Sequence, residues 1–202
     1  MILESISQKV GNLFSKFGSP TKCIVLSLIF TALASYFIIK EMYLYAFVSF
    51  VLVCLFELVD GSVNKLNPTK RSKLGSYLDA ISNVYIEGAI LFAMLFGSLP
   101  DFFFPIRGWI AIYMFGFLTA YYVKAASREK EVIRTEIKGL LERYERWIIL
   151  GVGLLLAVFD HLYLSYIVVI LAILTNLSAF QRIYAAVAYT RNKFTITSKI
   201  NR

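Results

Sequence analysis

Six long apolar segments constrain the fold of this chain more than any other feature of its sequence. A helix that crosses a bilayer needs about 20 predominantly apolar residues, so polar ends must carry the shorter segments into the interface. The hydrophobic content of 58% is too high for an ordinary soluble domain. We predict an all-α integral membrane protein with six transmembrane helices; five is the alternative, because the fifth segment is short. The segments cover approximately residues 23–39, 43–59, 78–97, 108–125, 147–160 and 163–188.

The first 18 residues carry a different pattern. Apolar side chains from Ile2 to Phe17 recur at helical spacing, and polar side chains such as Lys9 fall on the other side. This pattern predicts an N-terminal amphipathic juxtamembrane helix that lies on the membrane surface. A cleaved signal peptide is the competing interpretation, but the next apolar run continues to Ile39, which is too long for one. We expect an interfacial helix at 1–18 and one membrane domain at 19–202.

The basic residues predict the orientation. With six spans, all of the 21 Lys and Arg residues except Lys40 and Arg107 fall on one side. Such an excess marks the cytoplasmic face, so we expect a multi-pass cell-membrane protein with both termini in the cytoplasm. The net charge of +8 then reflects juxtamembrane loops, and no nucleic-acid partner is expected. Cys23 and Cys54 have no disulfide or zinc spacing and are expected to be free thiols.

The junction of the second and third segments is unusual because it is acidic. It carries Glu57, Asp60, Asp79 and Glu87, and no other apolar segment has an acid well inside it. An ionisable side chain at bilayer depth costs at least ~2.5–3.5 kcal/mol, so it usually has a function. Glu57 and Asp60 share a helix face, and Asp79, Asn83 and Glu87 form a second stripe. On facing antiparallel helices these stripes would gather the oxygen ligands that Mg²⁺ prefers.

Glycines and basic residues lie between these acids. Gly61 and Gly75 suit a close approach of the backbone to a ligand, and the basic side chains can bind phosphate as cations. The sequence therefore predicts a metal or phosphate site. The basic residues are Lys65, Lys70, Arg71 and Lys73.

The order of these residues resembles the signature of the CDP-alcohol phosphotransferases. That family carries Asp-x-x-Asp-Gly-x-x-Ala-Arg, a spacer, and then Gly-x-x-x-Asp-x-x-x-Asp. This chain reads Glu57-x-x-Asp60-Gly61-x-x-Asn64-Lys65, a spacer one residue longer than the family's, and then Gly75-x-x-x-Asp79-x-x-x-Asn83. A gapped pattern of this length is specific even when degraded. Asp60, Gly61, Gly75 and Asp79 match, whereas Glu57, Asn64, Lys65 and Asn83 depart.

Weaker matches continue outside this motif. Three segments are similar to those of the phosphatidylinositol-phosphate synthase branch and its archaeal archaetidylinositol-phosphate counterpart: Tyr122-Val123-Lys124-Ala125, Glu142-Arg143-Tyr144-Glu145-Arg146 and Gln181-Arg182. In that branch such basic residues hold the phosphate of the acceptor. The alternative is a positive-inside loop without a ligand, and Arg128 would have to replace an arginine that the family carries where this chain has Ala126. By position the acceptor-phosphate residues are Lys124, Arg128, Arg143, Arg146 and Arg182.

The resemblance implies a transferase of phospholipid biosynthesis. Family members move a phosphatidyl-type group from a CDP-activated lipid to a polar alcohol, inositol phosphate in this branch, and release CMP. By position, two Mg²⁺ or Mn²⁺ ions would be held by Glu57, Asp60 and Asp79, and the last motif position would deprotonate the hydroxyl. A homodimer is also implied. The residues that would contact the CDP-lipid are Pro20, Thr21, Gly61, Lys65, Ser72 and Gly75.

Asn83 is the departure with the largest consequence, because a carboxamide cannot act as the family's catalytic base. Glu87, one turn further along, is a candidate substitute, although many members carry an acid near that position as well. Two functions remain open: an active transferase with an altered site, or a degenerate member without turnover. The second would bind CDP-lipid or metal, or act as a partner subunit. A small transporter is weaker, because it would predict inverted repeats and broken helices.

Overall fold

The structure is a computed structural model that describes residues 20–66, 73–130 and 139–200. Side chains are described for residues 22–58, 74–75, 77–130 and 139–190. The described residues form six helices, which confirms the all-α prediction, and the predicted amphipathic helix at 1–18 lies outside them. The helices are α1 (Pro20–Ile39), α2 (Tyr43–Leu66), α3 (Lys73–Met94), α4 (Ile106–Glu129), α5 (Arg143–Leu156) and α6 (His161–Ile200).

Each predicted apolar segment corresponds to one helix, and polar residues extend several helices beyond the apolar run. The second segment was expected to end near residue 59, but α2 continues to Leu66. Similarly, α5 begins at Arg143, before the apolar run that follows it. The backbone hydrogen bonds of a helix can continue through polar residues that stay exposed. A prediction from apolar content alone therefore makes helices such as α2 and α5 begin too late or end too early.

Two compact units make up the chain. The first contains α1, α2 and α3 with Leu154–Phe159, which are the last residues of α5 and the turn after it, and the second contains the described residues of Leu99–Gly153 and those from Asp160 onward. In the first unit α1 packs against both α2 and α3. In the second unit α4 packs against α6.

The buried faces of these helices combine small and large apolar side chains. Ala34 on α1 and Ala46 on α2 are fully buried, and small residues let helix backbones approach closely. In the second unit Gly116 on α4 and Ala172 on α6 are also buried, beside the large rings of Tyr113 and Phe117.

The outer surface is also apolar. Within the described residues three helices are long and apolar enough to cross a membrane, over Lys22–Ile39, Ile106–Glu129 and His161–Thr190, and Tyr43–Leu58 is a shorter apolar helix. Only 28% of the first of these windows is buried inside the protein. A surface of this kind suits lipid rather than water, so an integral membrane protein is the architecture that the helices support.

Candidate active site

Glu57 is a buried carboxylate that is held by a neighbouring helix. Its side chain on α2 is 2% exposed, and the Ser27 hydroxyl on α1 lies 3.0 Å from its Oε1. The same hydroxyl lies 2.8 Å from the carbonyl oxygen of Ile24. Burying a carboxylate without hydrogen-bond donors is costly, so Ser27 supports the first acid of the motif. The packing of α1 on α2 therefore positions Glu57.

Asp79 and Asn83 form a hydrogen-bonded pair on α3. The Asn83 Nδ2 donates to the Asp79 carboxylate at Oδ1 over 3.0 Å, and also to the backbone carbonyl oxygen of Asp79. The hydroxyl of Ser82 donates to that same carbonyl oxygen over 3.0 Å. Asp79 and Asn83, the first two residues of the predicted stripe, thus lie on one face of α3 and are in contact, as residues four apart on a helix can be.

The carbonyl oxygen of the Asn83 amide is a buried acceptor that has no hydrogen bond among the described residues. The side chain is 5% exposed, and its Oδ1 has no hydrogen-bond partner among the residues that the structure describes. Buried polar atoms in proteins are nearly always hydrogen-bonded, and each exception needs an explanation. A ligand that brings a hydrogen-bond donor to this oxygen would supply one.

Glu87 continues the stripe towards the interior. Its side chain is fully buried, between the buried Ile86 and Ile90 of the same helix. Asp79 is half-buried and Asn83 nearly buried, so burial increases along the three residues. Of the three residues of this stripe, Glu87, the predicted substitute base, is therefore the furthest from solvent.

Several predicted site residues are described only in part. The backbone of Asp60, Gly61 and Lys65 lies in α2, and that of Pro20 and Thr21 lies in the first turn of α1, while Ser72 and these side chains are outside the described residues. Gly75 is half-buried on α3. Where side chains are described, no three His, Cys, Asp or Glu residues cluster closely enough to hold a metal ion. The Asp60 side chain lies outside the described residues, so the three-acid metal site stays a prediction.

The donor chemistry nevertheless fits a hard divalent cation. Glu57 and Asp79 offer carboxylate oxygens. Carboxylate and carbonyl oxygens are the ligands that Mg²⁺ and Mn²⁺ take in proteins.

The second unit gathers basic residues of three helices. Arg182 on α6 is buried, and its Nη2 lies 3.0 Å from Oε1 of Glu142. Its Nη1 donates over 3.5 Å to the carbonyl oxygen of Ala120 on α4. The Nε of Arg182 is buried without a partner within the described ranges. Both Nη atoms of the guanidinium therefore have partners, and the buried Nε, which lies against Gly139, is its one donor without a partner among the described residues.

Arg146 and Arg143 lie at the start of α5, where aromatic rings surround them. Arg146 is 3% exposed, and its guanidinium carbon lies 5.7 Å from the centre of the Tyr121 ring on α4. The guanidinium carbon of Arg143 lies 4.6 Å from the Tyr144 ring and 5.1 Å from the Trp147 ring. Rings at this distance attract a cation through their quadrupole, so both arginines have stable positions without a ligand.

Lys124 and Arg128 complete this group on α4. Lys124 is half-buried one turn beyond Ala120, which Arg182 contacts, whereas Arg128 is exposed near the helix end. The structure thus brings Arg146 and Arg182 to adjacent residues of α4, and places Lys124 on the same stretch.

Comparison with solved structures identifies the fold. The crystal structure of Mycobacterium tuberculosis phosphatidylinositol phosphate synthase PgsA1 with CDP-DAG bound matches with a TM-score of 0.71, over 90% of this chain and 94% of that one. The chain has the fold of a phosphatidylinositol phosphate synthase. PgsA1 is a CDP-alcohol phosphotransferase, so the resemblance inferred from the motif is confirmed at the level of the fold.

Two further PgsA1 structures agree. The complex with manganese and citrate gives a TM-score of 0.70 over 89% of this chain and 88% of that one, and the apo form gives 0.66 over 87% and 92%. Sequence identity is 18–19% in all three. No protein-family model and no curated protein sequence matches the chain.

Three contacts of these sites were not predicted from the sequence. Ser27 contacts Glu57, Glu142 contacts Arg182, and Tyr121 lies beneath Arg146. Each partner lies 25 or more positions away along the chain, where helical periodicity carries no information. A weak signal existed for Ser27, because it is one of three Ser and Thr residues, with Thr31 and Ser35, inside the apolar run of α1.

Proposed function

We propose that this protein is a membrane transferase that moves a phosphatidyl-type group from a CDP-activated lipid to a polar alcohol and releases CMP. The observation that carries the proposal is the placement of the motif's two halves on consecutive helices of a PgsA1-like fold. Glu57 lies buried on α2, and Asp79 lies half-buried on α3. PgsA1 itself has been crystallised with CDP-DAG and with manganese.

In this proposal Glu57, Asp60 and Asp79 hold Mg²⁺ or Mn²⁺. Bound divalent cations stabilise negative charge on the attacking and leaving oxygens of a phosphoryl transfer. Ser27 keeps the Glu57 carboxylate in place before metal binds, because it supplies a donor in a buried position. Pro20, Thr21 and the motif residues Gly61, Lys65, Ser72 and Gly75 contact the CDP-lipid by analogy of position.

Activation of the hydroxyl is where the site departs from the family pattern. Asn83 has no proton-accepting carboxylate, and its Nδ2 is already engaged by Asp79. Glu87 is the nearest acid along the stripe, but it is fully buried. Positioning and electrostatics supply most of the rate in phosphoryl transfer, so a transferase with a weak base retains a slow reaction.

The basic group of the second unit is the proposed site for the acceptor's phosphate. Arg146 and Arg182 are its buried members, and Lys124, Arg128 and Arg143 are its members with more access to solvent. Arg182 is the best candidate for direct contact, because its Nε is a buried donor without a partner in the described part. Nε would donate as a single N–H, because both Nη atoms already have partners.

We also propose the predicted topology of six spans, with both termini and the motif on the cytoplasmic side. The charge distribution of the loops supports it, and CDP-activated substrates are available there.

Release of CMP tests the function. Purified protein is incubated with CDP-diacylglycerol, Mn²⁺ or Mg²⁺ and a panel of alcohols that includes inositol phosphate. We expect CMP with at least one alcohol, none with Asp79→Ala, and unchanged release with Asp160→Asn, a change at an exposed loop acid. Absence of CMP with every alcohol, in protein that still binds CDP-diacylglycerol, would establish the degenerate, non-catalytic member instead.

A further inference from the structure

In a site that contains only acids, a bound cation holds neighbouring carboxylates together. Asn83 is placed to take over this role for Asp79. Its two amide hydrogens meet two oxygens of Asp79, the backbone carbonyl oxygen and the carboxylate Oδ1. The Asn83 side chain is nearly buried, which limits the access of solvent to these contacts. The Asp79 carboxylate is therefore held in position by its own helix.

The chemistry of the contacts fixes the orientation of the amide. Rotating it by half a turn would set Oδ1 against a carbonyl oxygen and a carboxylate oxygen, and all three are acceptors. The N–H donor must face Asp79, and Oδ1 must face away.

An aspartate at this position would behave in the opposite way. It has no hydrogen to donate, and its charge would lie about 3 Å from the Asp79 carboxylate, where two like charges repel strongly in a buried site. Two such carboxylates are held together by a cation between them. The amide removes both the repulsion and the negative charge that attracts that cation.

We propose that the Asn83 amide takes the place of one cation beside Asp79, so that the site binds one divalent ion where an aspartate at this position would make it bind two. The inference rests on the metal site of the proposed function. The outward Oδ1, which lacks a described partner, then accepts a hydrogen bond from a water or hydroxyl group that arrives with the ligand.

Counting bound Mn²⁺ tests this without any activity measurement. Full-length protein in detergent is titrated with Mn²⁺, and the free ion is measured by electron paramagnetic resonance. Saturable binding that Asp79→Ala abolishes is expected at one ion per chain in the natural protein and two in Asn83→Asp. Two ions in the natural protein, or none, would overturn the proposal even if the variant does not fold.

Thermal unfolding in a chelator gives a second readout. Asn83→Asp is expected to unfold about 2–8 °C lower than the natural protein in EDTA, and to recover in saturating Mn²⁺. Ser82→Ala is the matched control, because Ser82 donates to the same backbone carbonyl oxygen but does not donate to the carboxylate. It should leave both the ion count and the metal dependence unchanged. Equal metal dependence of the natural protein and Asn83→Asp would contradict the proposal.

The number of bound ions tests this inference, and CMP release tests the proposed function, so one can be wrong without the other. CMP release with two bound ions removes this inference and leaves the proposed function intact. One bound ion without CMP release supports the inference and removes the transferase.

Discussion

Arg182 and Glu142 form an ion pair whose two members differ in their access to solvent. Their closest atoms, Nη2 and Oε1, are 3.0 Å apart, yet the Arg182 side chain is 7% exposed and that of Glu142 is 41% exposed. Glu142 Oε1 also accepts the backbone N–H of Gly139 over 3.1 Å. The carboxylate can be hydrated without its partner, whereas the guanidinium cannot.

This asymmetry predicts unequal effects of removing either partner. Glu142→Ala leaves a buried cation uncompensated, which typically costs about 3–5 kcal/mol. Arg182→Met fills a similar volume and removes the buried charge together with its unpaired Nε, so we expect a loss of about 1 kcal/mol or less. Denaturant unfolding in mild detergent compares the two. An equal or larger loss for Arg182→Met would contradict the argument.

Ser27→Ala should destabilise the protein through Glu57. The change removes a hydroxyl donor from a carboxylate that is nearly buried, and a hydrogen bond to a charged group is typically worth about 1.5–3 kcal/mol. Ser35→Ala on the same helix is the control, because its buried hydroxyl has no partner among described residues. We expect that change to be neutral or stabilising. Similar losses for both variants, measured in chelator, would show that the Ser27 contact does not matter.

The helices could be predicted from sequence because each apolar run is long and bounded by polar residues. Every one of the six expected segments contains the core of an observed helix. Their ends could not be set in the same way. The turn at residues 157–159 is apolar and was included in the fifth segment, although α5 ends at Leu156.

The candidate site was predictable only where its residues lie on one helix. The contact between Asp79 and Asn83 follows from their spacing of four. The partners of Glu57 and Arg182 come from other helices, and their pairing depends on tertiary packing that no local pattern encodes. Asp60, Lys65 and Ser72 lie outside the described side chains, so their roles stay predictions.

Gly116→Ala should loosen the packing of α4 on α6. An added Cβ would lie 2.5 Å from the Asn176 Nδ2 and 2.9 Å from its backbone nitrogen. Alanine favours a helix over glycine by about 1 kcal/mol, and overpacking typically costs about 1–3 kcal/mol. A net decrease in the free energy of unfolding would therefore show that overpacking outweighs the gain in helix propensity. At Gly97 the nearest atoms to a Cβ are 3.6 and 3.7 Å away. Gly97→Ala should therefore be nearly neutral, and equal losses for both glycines would remove the packing explanation.

Cysteine labelling tests the proposed topology. The distribution of Lys and Arg predicts that residue 72 is in the cytoplasm and residue 98 is outside. Single cysteines at Ser72 and Ser98, in a background that lacks Cys23 and Cys54, should react with a membrane-impermeant maleimide from opposite sides. Labelling of both from one side would exclude the six-span arrangement.

The final prediction concerns the missing base. At saturating Mn²⁺, Asn83→Asp restores a carboxylate where the family's base stands, and general-base catalysis is typically worth ~10²–10⁴-fold. If the site is a weakened version of the family's, CMP release should rise towards that range, and Glu57→Asp in the same chain should change it further without simple additivity.

If Glu87 is the base instead, Glu87→Gln abolishes turnover and Asn83→Asp changes it little. The burial of Glu87 favours the first outcome, because a fully enclosed carboxylate has no path to an arriving hydroxyl unless the helix stripe opens. A measurable activity that responds to neither substitution would exclude base catalysis from α3, and a double variant that stays inactive with every alcohol would favour binding without turnover.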